Sequence, residues 1–178
     1  INGRLLNGLK RVEDAQLLFG SGTGNNLHGI YTQATAYSAP ITIASPTRVD
    51  TMRLAMLQAA LADVFATGHV MHMNDWTAIE LQKDTTGAYL FTNPFSPNTP
   101  SLWGLPVADT NHAAMVGNFL TGSFADAAQI FDREDANVVI STENADDFEK
   151  NIVSIRCEER LALAVYRPEA FVKGEFPA

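Results

Sequence analysis

Asn151-Ile-Val-Ser-Ile-Arg-Cys-Glu-Glu-Arg-Leu-Ala-Leu-Ala-Val165 is a long, mostly apolar run with the two-residue alternation of a β-strand. It closes a series of shorter strand-like runs that follow two helical segments, and the series has no helix between each pair of strands. That order predicts an α+β protein rather than a doubly wound parallel sheet. Its Glu158-Glu159-Arg160 cluster places successive side chains on opposite faces. One glutamate therefore pairs with Arg160 or with an arginine of a neighbouring molecule, and the other faces elsewhere.

Upstream, the strand-like runs are Ala88–Phe91, Leu102–Val107, Met115–Thr121, Ala128–Phe131 and Val138–Ile140, fenced by Gly, Pro or Asn. Residues 93–101 hold three prolines and read as a surface loop. Asn144–Lys150 is polar and reads as one helical turn. Further upstream, 47–67 has apolar positions at three- and four-residue spacing, with Thr47 as a cap and Asp50 in the first turn, and Gly68 as its stop. Val70–Met73 follows as a short strand, and Asn74-Asp75 opens a helix over Trp76–Gln82. At the start, Leu5, Leu6, Leu9, Val12, Gln16 and Leu17 form one stripe of a helix over Ile1–Phe19, with Lys10, Arg11, Glu13 and Asp14 mostly off it. The helix ends at Gly20, where three glycines in five residues favour a loop.

Hydrophobic residues make up 46% of the 178 residues and charged residues 18%, the balance of a folded chain. The formal net charge is −8, and no stretch clusters Lys and Arg. Phosphate backbones need basic patches, so sequence-specific nucleic-acid binding is not expected. The sequence has no apolar run of about 18 residues that would span a bilayer. The single cysteine, Cys157, excludes an intrachain disulfide framework and reads as a small hydrophobe.

Few residues suggest ordinary catalysis. Gly20-Ser-Gly-Thr-Gly24 lacks the lysine of a phosphate-binding loop and follows a helix instead of a strand. His69 and His72, with Asp75 nearby, lie on an extended segment whose three-residue spacing sends the rings to opposite faces, so no metal site is expected. His28 and His112 stand alone in loop-like sequence. No serine sits in a nucleophile-elbow context, and a soluble hydrolase would need a convergent acid, base and nucleophile pocket in the structure.

Four motifs in fixed order carry a resemblance. They are the segment Ile1 to Leu18, the glycine-rich Gly20 to Ile30, Trp103-Gly-Leu-Pro-Val107, and Cys157-Glu-Glu-Arg-Leu-Ala-Leu-Ala-Val-Tyr-Arg-Pro-Glu-Ala-Phe171. Together they resemble the Hong Kong 97-type major capsid protein of tailed bacteriophages. The resemblance implies an axial lobe over about 20–131 and 163–178, and a peripheral lobe over 1–19 and 132–162 that includes the end of a spine helix. It further implies an N-terminal arm and extended loop upstream of Ile1, and a chain that self-assembles as pentamers and hexamers into the icosahedral head of a phage or prophage. A maturation protease and a portal are the expected partners, the virion is the expected location, and no cofactor is expected. An encapsulin-like shell around an enzyme cargo is the alternative.

Some members of that family join subunits through a Lys-Asn isopeptide bond. By resemblance Asn151 is the acceptor and Glu158 the proton acceptor, with the lysine donor on another segment. If both lie on one strand, seven residues separate them by about 23 Å and reverse the facing, so the site is completed in trans.

Overall fold

The computed structural model describes residues 2–90, 100–145 and 147–177. The chain divides into two compact units, one of Ile1–Thr32 with Ile130–Ala164 and one of Gln33–Gln129 with Val165–Ala178. Residues 20–32, expected with the larger unit, fold with the smaller. A bridge between Ser21 and His28, and a hydrogen bond from Gly29 N–H to the Gly20 carbonyl, return this loop to the end of the first helix. A Cβ at Gly20 would strike the carbonyls of Leu27 and Gln16, so a side chain there would prevent that return.

The larger unit is built on a six-stranded sheet. Its strands are β1 (Thr35–Ala36), β2 (Gly68–His72), β3 (Ser101–Leu102), β4 (Leu105–Thr110), β5 (Asn118–Gly122) and, near the chain end, Phe171–Glu175, here β8. They lie in the order β1-β8-β5-β2-β4-β3. β2 runs parallel to β4 and antiparallel to β5, with Val70 opposite both Ala108 and Leu120. The central strands β2 and β5 are buried almost throughout.

Two helices cover this sheet. The first (Arg48–Leu61) is capped by Thr47, whose hydroxyl accepts from Asp50 N–H while the Asp50 carboxylate accepts from Thr47 N–H. It stops six residues before the expected end. Ala62 and Asp63 close it, Asp63 in the left-handed conformation (φ 58°), and Gly68, the expected stop, instead begins β2. The second helix (Met73–Glu80) also starts earlier than expected, because the His72 ring, not Asn74, caps it by accepting from Asn74 N–H.

Val49, Met52, Ala55 and Ala59 of the first covering helix pack on Met71, Val107, Phe119 and Val172 of the sheet. Phe119 lies at the centre, edge-on to Tyr37 (5.7 Å between centroids) and tilted against Phe176 (5.2 Å). Gly174 makes room for it, since a Cβ there would sit 2.8 Å from the Phe119 ring.

The smaller unit has a long helix (Asn2–Phe19), a short one (Asp147–Lys150) and a two-stranded ribbon of β6 (Ala128–Ser141) and β7 (Ser154–Val165). β6 is continuous where the sequence suggested two short strands, because the polar run 132–137 lies exposed along it and needs no apolar alternation. On the long helix, Val12 is 59% exposed, whereas Glu13 is half-buried. The expected strand at 88–91 is absent over its described residues: Tyr89 makes only an isolated bridge to Lys83. Phe91 and most of the expected 93–101 loop lie outside the described residues.

Replacing Phe119 with Ala should destabilise the larger unit by about 3–5 kcal/mol, since the cavity left behind adds to the lost transfer energy. Chemical denaturation followed by tryptophan fluorescence measures this, and an unchanged midpoint would contradict the central placement of Phe119.

Candidate functional site

Asn151 does not lie on β7. It is the residue after the Asp147–Lys150 helical turn, in left-handed conformation (φ 53°). Ile152 N–H donates to the Asp147 carbonyl (2.9 Å) and Asn151 N–H to the Phe148 carbonyl (3.4 Å). This pair of bonds is a Schellman ending, in which Asn is the usual alternative to Gly because its short polar side chain tolerates positive φ. The 23 Å strand separation expected between Asn151 and Glu158 therefore does not apply. The two share no hydrogen bond among the described residues, and the Asn151 side chain is exposed.

Beneath the turn, the Asp147 carboxylate is buried and accepts from the Ser154 hydroxyl at the start of β7. Sequence reading missed this pair. The signal was a polar residue seven positions from an aspartate across a turn, which no periodicity reveals.

On β7 the charges alternate as the strand requires. Glu158 pairs with Arg156 (2.9 Å) two residues away on the same face, in place of the expected Arg160 or an arginine of a neighbour. Arg160 instead pairs across the ribbon with Glu134 of β6 (3.3 Å). Both pairs are at least partly exposed and hold their partners weakly. Glu159 faces the other way, into a groove of about 550 Å³ lined also by Leu9, Val12, Glu13, Gln16 and Leu27. Desolvation raises its pKa, the negative charges of Glu13 and Asp132 add to the shift, and Lys10 partly opposes it.

The histidines and Asp75 have structural work, all but His28 inside the larger unit. His69 is buried, with Nδ1 3.0 Å from the Thr121 hydroxyl. Its Nε2 is buried without a hydrogen-bond partner, and burial pushes its pKa down to about 4. His72 is the helix cap described above. Asp75 accepts from Arg48 (2.8 Å) and from Gly117 N–H (2.7 Å), tying both covering helices to the turn before β5. His112 caps a single 3-10 turn by accepting from Ala114 N–H, and His28 closes the glycine loop. No group of three His, Cys, Asp or Glu residues able to hold a metal occurs among the described residues. None of their helices is long and apolar enough to cross a membrane.

Trp103, from the third sequence motif, forms with Gly104 the two-residue turn joining β3 to β4. Both have positive φ (53° and 78°), as a type I′ hairpin turn requires. The indole N–H donates to the Val49 carbonyl at 3.1 Å, and the Arg53 guanidinium lies over the ring.

Residues 1–176 match the model of the phage capsid family. The chain belongs to the phage capsid family. Among relatives of this family member is the major capsid protein of Enterobacteria phage HK97, 45% identical over 176 residues, which make up 99% of this chain and 46% of that protein. The chain thus spans about half the length of the curated relative it matches. Its fold is that of solved capsid proteins. The structure of Gordonia phage Cozz aligns with a TM-score of 0.74 at 17% identity, over 99% of this chain and 62% of that one. The capsid of an empty GTA particle gives 0.68 at 20% identity, over 99% and 65%. A virus-like particle from Pyrococcus furiosus gives 0.60 at 10% identity, over 92% and 62%. The α+β class read from the order of elements is that of this capsid fold.

Two pH effects follow. His69 is neutral in the fold with its pKa at about 4, below the ordinary 6.5. The folded state therefore binds fewer protons than the unfolded, and its stability is fullest above pH 6.5 and falls between 6.5 and 4, by about 3 kcal/mol at most. Glu159 works in the opposite sense: its raised pKa means that ionisation disfavours the fold. Glu159→Gln should raise the melting temperature at pH 7, and the gain should shrink as pH falls towards the ordinary value of 4.5. A melting series against pH checks both, and a Gln variant no more stable at pH 7 would contradict the groove placement of Glu159.

Proposed function

We propose that the chain is part of a major capsid protein that tiles the icosahedral head of a tailed phage or prophage. The observation that carries this reading is the poverty of the smaller unit's interior. Among its described residues, Leu18 is the one buried hydrophobic side chain and Asp147 the one buried charged or polar side chain. Ile130, Phe131, Val139, Ile140, Phe148, Ile152, Val153 and Ile155 are all exposed. A two-stranded ribbon of this kind is marginal alone and needs cover, which neighbouring copies in a lattice supply. In this reading the larger unit is the axial lobe, meeting its neighbours in pentamers and hexamers, and the smaller unit is the peripheral lobe. A maturation protease and a portal are the partners of such a shell.

The same reading gives Asn151 and Glu158 a chemical role. A lysine of another subunit, with an ordinary pKa of about 10.4, loses a proton to the Glu158 carboxylate once an apolar surrounding disfavours its charge. The neutral Nζ attacks Cγ of Asn151, a new C–N bond forms, the Cγ–Nδ2 bond breaks, and ammonia leaves with the transferred proton. No cofactor or oxidant enters. The partly exposed pairing of Glu158 with Arg156 is weak enough to be exchanged for an incoming lysine. The position of Asn151 off the strand, on an exposed turn, suits an acceptor that must be reached from another molecule.

Electron microscopy of the full-length product co-expressed with its protease tests the shell. Icosahedral particles are expected, and soluble monomers under all assembly conditions would overturn it. Denaturing electrophoresis of the particles tests the bond. Covalent oligomers are expected in the wild type and not in Asn151→Asp or Glu158→Gln, whereas oligomers that persist in Asn151→Asp would remove Asn151 from the reaction.

A further inference from the structure

The buried Asp147 carboxylate is unexplained by the stability of its surroundings. It lies under a surface turn whose other described residues, Phe148 to Val153, are all exposed. Burying a carboxylate is costly unless hydrogen bonds offset it, and a Schellman ending closes without any side-chain carboxylate. Here the acid reaches across the turn to the Ser154 hydroxyl, while the main chain of the same residue accepts from Ile152 N–H. Asp147 therefore holds the chain on the far side of Asn151 at two points, by its carbonyl and by its carboxylate.

We propose that Asp147 and Ser154 are positioning residues that fix the turn carrying Asn151, so that its carboxamide projects outward in one orientation for attack by a lysine of a neighbouring copy. The proposal rests on the assignment of Asn151 as acceptor. Neither residue touches the reacting atoms. Their effect is on the fraction of time Asn151 spends in the reactive geometry, which intramolecular reactions read steeply. The apolar side chains of Phe148, Ile152 and Val153, exposed on the same turn, supply surface from which an arriving segment excludes water.

The test uses shells assembled from the full-length protein, with position 154 changed to a matched pair. Ser154→Thr keeps the hydroxyl; Ser154→Val has nearly the shape of Thr without it, and both suit the first residue of a strand. Cross-linking is followed over time by denaturing electrophoresis, with particle yield and melting temperature measured in parallel. We expect Ser154→Thr to cross-link at about the wild-type rate and Ser154→Val to be slower by roughly ten- to a hundredfold at similar particle yield. Equal rates for Thr and Val, with Asn151→Asp inactive, would overturn the positioning role while leaving the acceptor in place. Cross-linking that survives Asn151→Asp would overturn both. Should Ser154→Val fail to form particles, Asp147→Asn, which still accepts from Ser154 but carries no charge, provides the second arm: a rate within a few-fold of wild type is expected, and Asp147→Ala as fast as Asp147→Asn would reject the hydrogen bond as the cause.

Discussion

Side chains are buried most deeply where two layers meet, and among the described residues that burial is concentrated in the larger unit. The first covering helix lies on the six-stranded sheet, and Phe119, Met52, Met71 and Val172 close the space between them to almost no exposure. Everything else is placed by that packing. Asp75 ties Arg48 and the Gly117 turn together at the edge of the core, and Trp103 reaches back to the same helix through Val49. The smaller unit lacks such a pair of layers. Its ribbon shows apolar side chains to solvent, and its long helix has a single residue, Leu18, out of reach of water. That imbalance is poor design for an isolated monomer and fits the proposed shell subunit, whose remaining layers would be copies of itself.

The candidate site follows the same division. Asn151 is exposed on the turn and Glu158 half-buried on the face of the ribbon, so in the proposed cross-link the remaining surroundings come from another molecule. The one charged side chain this region buries among its described residues is Asp147, whose carboxylate holds Ser154 beyond the turn. Local precision is thus confined to the backbone beneath Asn151, the proposed acceptor, whose side chain is exposed.

Much of this was legible in the sequence, and the failures have physical causes. The helices at 2–19 and 48–61 followed from periodicity and from the Thr47–Asp50 cap, and the long strand at 154–165 from alternation. Boundaries failed where a side chain took a backbone role. His72 capped a helix that Asn74 was expected to open, and Asp63 adopted a left-handed angle that closes a helix expected to stop at Gly68. β6 was broken in two on paper because alternation marks burial on one face, and a strand exposed on both faces has none to show. Asn151 was read into the strand because Ile152, Val153 and Ile155 continue an apolar run; its positive φ is a tertiary fact that no composition encodes. Arg160's partner depended on which strand lay alongside, information absent from β7 itself, whereas Glu158's partner Arg156 stood two residues away on the same face and was overlooked.

The exposed charged stretch of β6, Asp132-Arg-Glu-Asp135, bears on what happens before any lattice exists. A ribbon with open edges and apolar faces is a template for indiscriminate stacking, and fresh subunits are crowded when they are made. Charges along an edge make identical edges poor partners in arbitrary register, because like charges then fall opposite one another. Arg160 relieves Glu134 from within the same ribbon, and its neighbouring carboxylates remain to discourage misaligned strands. In the proposed shell, the same residues that broke the apolar pattern of the sequence would favour a neighbour in the few alignments that match the charges.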